Sequence, residues 1–366
     1  MPLTINVLGE QDNESNYHCS AFIRLLSPLG HPSLSKEVNL VASLELAPIR
    51  ANVVIVERSW KPSLCEQDAI ELVSEVKRRG STFIYTLDDN LLDLGLDEEG
   101  ESVPEEKIRI MRHFIKSADG VIVSTPALAR RIMLLNSKVV VVPNALDERL
   151  FKPNAVNDGH PINRQSVCDL SESKIIIGYM GTLTHTYDLF MILEPLRKLL
   201  FRYGDIVKFE VIGVSTRQQI IKKILGSNVD FLEPAGGANY ENFVNWFRAN
   251  AHWDFGLAPL SSRPFNLYKS DLKYLDYGVL GIPGVFSNVG PYAETIRHGI
   301  TGLLVENNEE DWFGAMESLI LDRELRRRLG SNAFEEVVTK RMLDSRAFDW
   351  LSAIEDIRLH KNNLQA

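Results

Sequence analysis

Cysteine is scarce in this sequence, since the 366 residues contain only Cys19, Cys65 and Cys168. These three are far apart and odd in number, so they form neither a C-x-x-C metal site nor a disulfide framework, and a reducing cytoplasm is expected. The chain also lacks an apolar run of the roughly 18–20 residues that a membrane span requires, and no basic region precedes its first apolar stretch. We therefore expect a soluble protein that associates with a membrane only peripherally.

An excess of positive charge is also missing. Forty basic residues face 49 acidic ones, and the resulting net charge of −9 excludes a global attraction to nucleic acid or to an anionic membrane surface. The content of 45% hydrophobic and 24% charged residues is typical of globular proteins, which excludes a disordered or fibrous chain. The length suggests two domains, or three.

The signatures of several enzyme classes are absent. A nicotinamide-dependent dehydrogenase needs Gly-x-Gly-x-x-Gly after its first strand, but the segment Leu8-Gly9-Glu10 lacks the second glycine. The sequence contains no P-loop and no Gly-x-Ser-x-Gly elbow, and its eight histidines are too dispersed for a zinc hydrolase. Asp88 and Asp89 are adjacent, so their side chains diverge and do not form a metal-binding set. No metal site is predicted.

Short apolar, β-branched runs alternate with helical patterns, which predicts a parallel α/β architecture. The expected strands are Ile5–Leu8, Val53–Glu57, Phe83–Leu87, Gly120–Ser124, Lys138–Val142, Lys174–Met180, Val207–Gly213, Val229–Leu232, Asp254–Ala258, Gly284–Ser287 and Gly302–Val305. The pattern lapses in the polar stretch 151–173, which we interpret as a linker between domains at 1–150 and 174–337. Because ligands bind at the carboxyl ends of parallel strands, a cleft between the two domains is the expected site.

Boundary residues predict where several helices begin. Ser63-Leu64-Cys65-Glu66 has the pattern of a capping box, and Thr125-Pro126 supplies an N-cap and a proline at the first helical position. In the second half, helices are expected over Asp188–Tyr203 and from Ser270 to Leu280.

A charged group stands out on the last of these helices. If the helix begins near Ser270, then Lys269, Lys273 and Asp276 fall within about 60° of one another. Two ammonium groups suit a diphosphate, and a carboxylate suits the paired hydroxyls of a ribose. A solvated helix face with ordinary charge pairs is the alternative. The turn Gly290-Pro291-Tyr292 offers backbone N–H groups for phosphate or sugar oxygens, with a plain strand–helix connection as its alternative.

The segment that carries these residues resembles the donor-binding half of the family 4, or group 1, glycosyltransferases. The matching elements, in order, are Lys269, Lys273-Tyr274-Leu275-Asp276-Tyr277, Gly281-Ile282-Pro283, Ser287, Gly290, Glu294-Thr295-Ile296, Gly299–Val305, Trp312 and Asp322…Arg326…Leu329. The resemblance implies the GT-B fold, with two Rossmann-like domains and a C-terminal helix at 338–366 that returns to the first domain. It also implies transfer of a sugar from a nucleotide-diphosphate sugar to an acceptor hydroxyl, with retention and without a metal or other cofactor.

The family's Glu-x7-Glu motif carries over with one departure. Asp276 takes the place of the second Glu of the family's Glu-x7-Glu motif, which holds the ribose. The first Glu falls at Tyr268, so the chain resembles a subgroup that reads Lys-Ser-x-Leu-Lys-x-x-Glu/Asp. The resemblance implies that Lys269 and Lys273 bind the diphosphate, and that Lys269 helps to stabilise its charge as the sugar departs.

The loop after the first strand of the second domain also departs from the family. Arg and Lys are missing from the segment 178–188, which resembles a Gly-Thr-x-Thr-His-x-x-Asp variant of this loop. Gly181 and Thr182 are expected to donate to phosphate, and His185 to donate to the β-phosphate or the sugar. Asp188, at the end of this segment, also fits a simpler role, as a residue that stabilises the start of the following helix.

The first domain is expected to receive the acceptor, a bacterial polysaccharide or lipid-linked glycan at the inner membrane face. Tyr17, His18 and Arg24 follow its first strand and are polar enough to line the cleft. Asp88 and Asp89 end a strand and point toward the cleft, where they would bind acceptor hydroxyls or act as a base. Helix capping is the alternative for this pair.

Two other functions remain open. One is a GT-B nucleotide-sugar epimerase, which would convert the sugar nucleotide without an acceptor. The other is a catalytically silent protein that binds a nucleotide sugar or a partner, which the missing Glu and the missing Arg/Lys pair favour.

Overall fold

The computed structural model describes residues 1–12, 16–96, 103–151, 174–181, 185–213, 217–234 and 239–365. Apart from Phe151, the predicted linker lies outside these ranges, as does Thr182. The described residues form two six-stranded sheets in which every pair of neighbouring strands is parallel.

The first sheet has the strand order β2-β1-β3-β4-β5-β6. Its strands are β1 (Leu3–Leu8), β2 (Val38–Ala42), β3 (Val53–Glu57), β4 (Thr82–Leu87), β5 (Gly120–Val123) and β6 (Val139–Val141). Five of them confirm the predictions to within two residues. The edge strand β2 was not predicted: it is short and mostly exposed or half-buried, so it lacks the continuous apolar run of a covered strand.

The second sheet has the order β12-β11-β10-β7-β8-β9. Its strands are β7 (Ile175–Gly181), β8 (Val207–Gly213), β9 (Val229–Leu232), β10 (Phe255–Ala258), β11 (Gly284–Ser287) and β12 (Leu303–Val305). All six confirm predicted strands to within one residue at each end.

Helices cover both sheets. The α-helices are α1 (Cys19–Ala21), α2 (Ser27–Leu29), α3 (Glu66–Arg78), α4 (Glu105–Ser117), α5 (Pro126–Ile132), α6 (Glu148–Phe151), α7 (Thr186–Met191), α8 (Leu193–Tyr203), α9 (Gln218–Leu225), α10 (Tyr240–Asn250), α11 (Leu272–Gly278), α12 (Pro291–Thr295), α13 (Glu309–Leu321), α14 (Arg323–Lys340) and α15 (Leu343–Gln365). Within the described ranges, none is long and apolar enough to cross a membrane.

Several helix boundaries differ from the prediction, and α11, for example, covers Leu272–Gly278 rather than Ser270–Leu280. The capping box of α3 is formed by Cys65 and Asp68 rather than by Ser63 and Glu66, because the helix begins at Glu66 and Asp68 reaches back to the Cys65 N–H. The predicted helix Asp188–Tyr203 is divided at Ile192 into α7 and α8. The predicted cap of α5 is confirmed, since the Thr125 hydroxyl accepts from Leu128 N at 3.2 Å.

The last helix, α15, returns to the first domain as predicted. Trp350, Ile354 and Ile357 are buried in one cluster with Ile5 and Ile84 of the first sheet. The approach is close at Gly120, where a Cβ would lie 2.6 Å from Ile357 Cγ1. A larger residue at that position would displace α15. Because α15 packs on the first sheet, residues from both halves of the sequence stabilise the first domain.

Candidate functional site

A cavity of about 410 Å³ lies where the carboxyl ends of both sheets face each other. Eighteen residues line it: Ile23, Asp88, Asp89, Asn144, Met180, Gly181, His185, Ile212, Gly213, Pro234, Phe243, Leu260, Lys269, Ser270, Leu272, Lys273, Asp276 and Tyr292. Eight of these were predicted as site residues. Among the predicted ones that are described, Gly290 and Pro291 do not line the cavity: Gly290, at φ +53°, precedes the short helix α12, and of this turn only Tyr292 reaches the cavity.

Lys273, in the first turn of α11, brings an unpaired ammonium group to the cavity. Its Nζ is buried and has no hydrogen-bond partner within the described part of the chain, although it lies 5.3 Å above the Tyr179 ring centroid. Burial lowers the pKa of Lys273 to about 7, with a further lowering by Lys269 and an opposing effect of Asp188 and Asp276. A buried donor of this kind indicates a missing acceptor, such as a phosphate oxygen.

Asp276 lies one turn further along α11. Its residue surface is only 9% exposed, and burial raises the pKa of the carboxyl to about 7 while the charge of Lys273 opposes that rise. Two carboxylate oxygens facing a cavity can accept from the two hydroxyls of a diol. The predicted relation of Lys273 and Asp276 on one helix is confirmed.

The predicted position of Lys269 on the same helix is wrong. Helix α11 begins at Leu272, and Lys269 instead follows a 3₁₀ turn at Pro264–Tyr268. The two intervening side chains are bound elsewhere, since Ser270 accepts from Asn144 Nδ2 at 2.9 Å and Asp271 pairs with Arg341 at 2.7 Å. Lys269 nevertheless lines the cavity, because the turn directs it there.

His185 connects the loop after β7 to Lys269. Its Nε2 lies 3.3 Å from Lys269 Nζ, and its Nδ1 lies 3.0 Å from Asp188 Oδ2. Burial, together with the nearby charges of Lys273 and Lys269, lowers the pKa of His185 to about 3, so the imidazole is neutral near pH 7.

Asp188 lies in the first turn of α7, but its carboxylate does more than stabilise that helix. It is fully buried, and Oδ1 accepts from Ser261 N at 2.8 Å, from Ser261 Oγ at 2.9 Å and from Asn266 Nδ2 at 3.1 Å. Burial alone would raise the pKa of Asp188, but its hydrogen bonds and the neighbouring charges hold it at about 2. The prediction did not detect this hydrogen-bonded set, because Ser261 and Asn266 lie 73 and 78 residues from Asp188 in the sequence.

On the first-domain side, Arg58 holds three carboxylates. Its guanidinium lies 2.8 Å from Glu10, 2.7 Å from Asp88 and 3.5 Å from Asp89. Burial acts to raise the pKa of Asp88, but Arg58 and Arg24 leave it below its usual value. For Asp89, burial and the neighbouring Asp88 raise the pKa. Asp89 is therefore the more basic of the two carboxylates at the cavity wall.

Other first-domain residues differ from expectation. Tyr17 and His18 do not line the cavity, and Arg24 is 1% exposed because it lies beneath the wall, where it donates to Val142 O at 2.6 Å and to Asn144 Oδ1 at 2.9 Å. Asn144 was not predicted as a site residue, although its position just after a strand end is a usable signal. Glu57 is fully buried and does not line the cavity, and burial raises the pKa of its carboxyl to about 8.

One group within the described ranges has the composition of a metal site. Ligand atoms of His31, Asp147 and Glu148 lie within 4.8 Å of one another. His31 Nε2 already pairs with Glu148 at 2.9 Å, and Asp147 pairs with Arg149. None of these residues lines the cavity.

Replacement of Asp276 by Asn should stabilise the fold at alkaline pH. Because the folded state raises the pKa of this carboxyl from 3.8 to about 7, the native protein holds its proton more tightly than the unfolded chain. Asp276 thus costs stability as the pH rises from about 4 to about 7, because over this range the unfolded chain has lost the proton that the native protein still holds. We expect Asp276→Asn to raise the free energy of unfolding by about 1–3 kcal/mol at pH 8 and by much less at pH 4. Urea unfolding at both pH values measures this, and an equal effect at the two values would contradict it.

Part of this site lies in a segment that matches a known protein family. Residues 272–336, which run from α11 into α14, match the family model described as "Glycosyl transferases group 1". A D-inositol 3-phosphate glycosyltransferase of Nocardia farcinica is 24% identical over 238 residues, which cover 61% of this chain and 49% of that protein. The chain therefore matches about half the length of this curated relative.

Two solved structures share the fold over most of the chain. HepE of Anabaena, solved in complex with UDP and glucose, has a TM-score of 0.65 at 14% identity, covering 97% of this chain and 100% of that one. Sucrose-phosphate synthase of Thermosynechococcus elongatus has a TM-score of 0.62 at 15% identity, covering 84% and 74%. The predicted GT-B fold with two Rossmann-like domains is thus confirmed, and its second domain carries a segment of the group 1 glycosyl transferase type.

Proposed function

We propose that this chain is a glycosyltransferase that moves a sugar from a nucleotide-diphosphate sugar to an acceptor hydroxyl. The observation that carries the proposal is the buried ammonium of Lys273, which has no hydrogen-bond partner in the described part of the chain and lies one turn from the buried carboxylate of Asp276 at the same cavity. The match of this segment to the group 1 family supports it. A cavity of about 410 Å³ is of the size that binds small molecules.

The donor would lie across the second-domain wall. Asp276 would accept from the ribose hydroxyls, while Lys269 and Lys273 would pair with the diphosphate. Backbone N–H groups of Gly181 and Tyr292 would add donors, since both residues line the cavity. HepE, which was solved with UDP and glucose, has the same fold and supports a donor of this class.

The reaction would depend on fixed positive charge. Negative charge grows on the departing diphosphate as the bond to the sugar breaks, and Lys269 and Lys273 would stabilise it without a metal ion. The acceptor would enter past Asp88 and Asp89, with Asp89 accepting a hydrogen bond from an acceptor hydroxyl other than the one that reacts. The departing phosphate would take the hydroxyl proton, and the anomeric configuration would be retained. The acceptor would be a polysaccharide or a lipid-linked glycan at the inner face of the membrane.

Loss of Asp276 or Lys273 should weaken nucleotide binding. We expect Asp276→Ala to cost about 1.5–3 kcal/mol of UDP binding free energy, because the ribose loses a hydrogen bond to a charged group. Lys273→Ala should weaken binding and reduce its dependence on salt concentration. Isothermal titration calorimetry measures both, with Lys222→Ala as the control, since Lys222 is an exposed lysine of the same domain. If both variants bind as tightly as the control, the site is wrongly assigned.

Nucleotide affinity should fall as the pH rises above 7. The pKa of Lys273 in the free protein is about 7, so above that pH the ammonium loses its proton and its attraction to the diphosphate. The affinity loss should approach tenfold per pH unit. Lys273→Arg keeps its charge across this range and should remove most of the decline. A parallel decline in both proteins would show that Lys273 is not responsible.

Turnover should survive a chelator and retain the anomeric configuration. Donors and acceptors are screened with EDTA present, and the product is analysed by NMR. Loss of activity in EDTA, or an inverted product, contradicts the mechanism. Conversion of the sugar nucleotide without acceptor would instead identify an epimerase, and nucleotide binding without turnover across the acceptor panel would favour a silent binding protein.

A further inference from the structure

Three side chains form a continuous polar chain that ends at the cavity. Asp188 Oδ2 lies 3.0 Å from His185 Nδ1, and His185 Nε2 lies 3.3 Å from Lys269 Nζ. Asp188 is fully buried, and Lys269 is 8% exposed. The chain therefore runs from a carboxylate in the interior to an ammonium group at the cavity wall.

The contacts at the two ends of this polar chain each determine which ring nitrogen of His185 carries the hydrogen. A carboxylate is only an acceptor, so the nitrogen that faces Asp188, Nδ1, must carry the hydrogen. An ammonium group is only a donor, so the nitrogen that faces Lys269, Nε2, must be bare. Both contacts require the same neutral tautomer, and an imidazolium would instead direct an N–H at the ammonium group.

Asp188 is itself held in place. Its Oδ1 accepts from Ser261 N, Ser261 Oγ and Asn266 Nδ2 at 2.8 to 3.1 Å, while Oδ2 faces His185. Asn266 O also accepts from Lys269 N at 3.3 Å. The carboxylate thus has one oxygen bound to the loops that carry Lys269 and the other directed at the imidazole.

We propose that Asp188 is a positioning residue, which fixes His185 in the Nδ1–H tautomer so that the bare Nε2 accepts from Lys269 and holds its ammonium group at the cavity wall. A neutral His185 with a bare Nε2 is not a hydrogen-bond donor to phosphate, so its role is to orient the cation that binds the phosphate. Only this last consequence, for nucleotide binding, rests on the proposed function.

The tautomer is measured directly in the unaltered protein. Nitrogen-15 NMR of uniformly labelled protein at pH 7 distinguishes protonated from bare ring nitrogens, and His185→Gln identifies the His185 signals by their loss. We expect a protonated Nδ1 and a bare Nε2. The opposite tautomer, or a doubly protonated ring, would overturn the proposal without any ligand being present. This measurement decides the proposal even where an Asp188 variant does not fold.

The substitution Asp188→Asn tests the effect on the cavity. Its Oδ1 keeps the contacts with Ser261 and Asn266, but an amide NH₂ replaces the oxygen that faces Nδ1. The ring should then carry its hydrogen on Nε2 and repel Lys269, and UDP affinity should fall about tenfold or more, as for other partners that orient a functional histidine. Asp254→Asn is the matched control, because Asp254 accepts from Ile176 N and does not line the cavity.

A double-mutant cycle separates positioning from a general structural effect. If Asp188 acts through His185, Asp188→Asn should lower UDP affinity no further when His185→Gln is already present. An equal loss in both backgrounds would overturn the proposal. If neither UDP nor another nucleoside diphosphate binds the unaltered protein, the proposed function fails, whereas the NMR measurement still decides the tautomer.

Discussion

The buried carboxylate of Asp188 is the constraint on which the second-domain wall of the cavity depends. A charge removed from water must be compensated by hydrogen bonds, and this one receives them from Ser261, Asn266 and His185. These residues belong to two separate segments: His185 follows β7, and Ser261 and Asn266 follow β10. The need to satisfy one buried anion therefore brings together the segments that carry His185 and Lys269.

The charged side chains on the two walls of the cavity are compensated in different ways. On the first-domain side, Arg58 compensates Glu10, Asp88 and Asp89 at once, so the carboxylates there already have a cationic partner. On the other side, Lys273 is buried with no hydrogen-bond partner among the described residues, and burial lowers its pKa to about 7 against the opposing charges of Asp188 and Asp276. A buried cation that costs stability by itself suits a site that binds an anionic ligand.

The sequence predicted what depends on short-range pattern and missed what depends on distant partners. Eleven strands were located because covered parallel strands are continuous apolar runs, whereas the edge strand β2 lacks that signal. Lys273 and Asp276 were correctly related because both lie within α11. Lys269 was misplaced, since the start of α11 depends on Asn144 and Arg341, which bind Ser270 and Asp271 across distances of 126 and 70 residues. Arg24 and Asn144 show the same limit of prediction from sequence. Hydrogen bonds to residues distant in the sequence place Arg24 beneath the cavity wall and Asn144 at the cavity.

The missing arginine and lysine of the loop after β7 also find a physical explanation in this arrangement. A loop without a cation cannot itself neutralise a diphosphate, but His185 in this loop contacts the ammonium of Lys269, which comes from the segment after β10. The charge is thus contributed by one segment and oriented by another. Because the imidazole stays neutral between two lysines, it adds no repulsion to an already cationic wall. His185 and Asp188 therefore orient a cation that another segment supplies. This shared role explains why they lie in one site with Lys269.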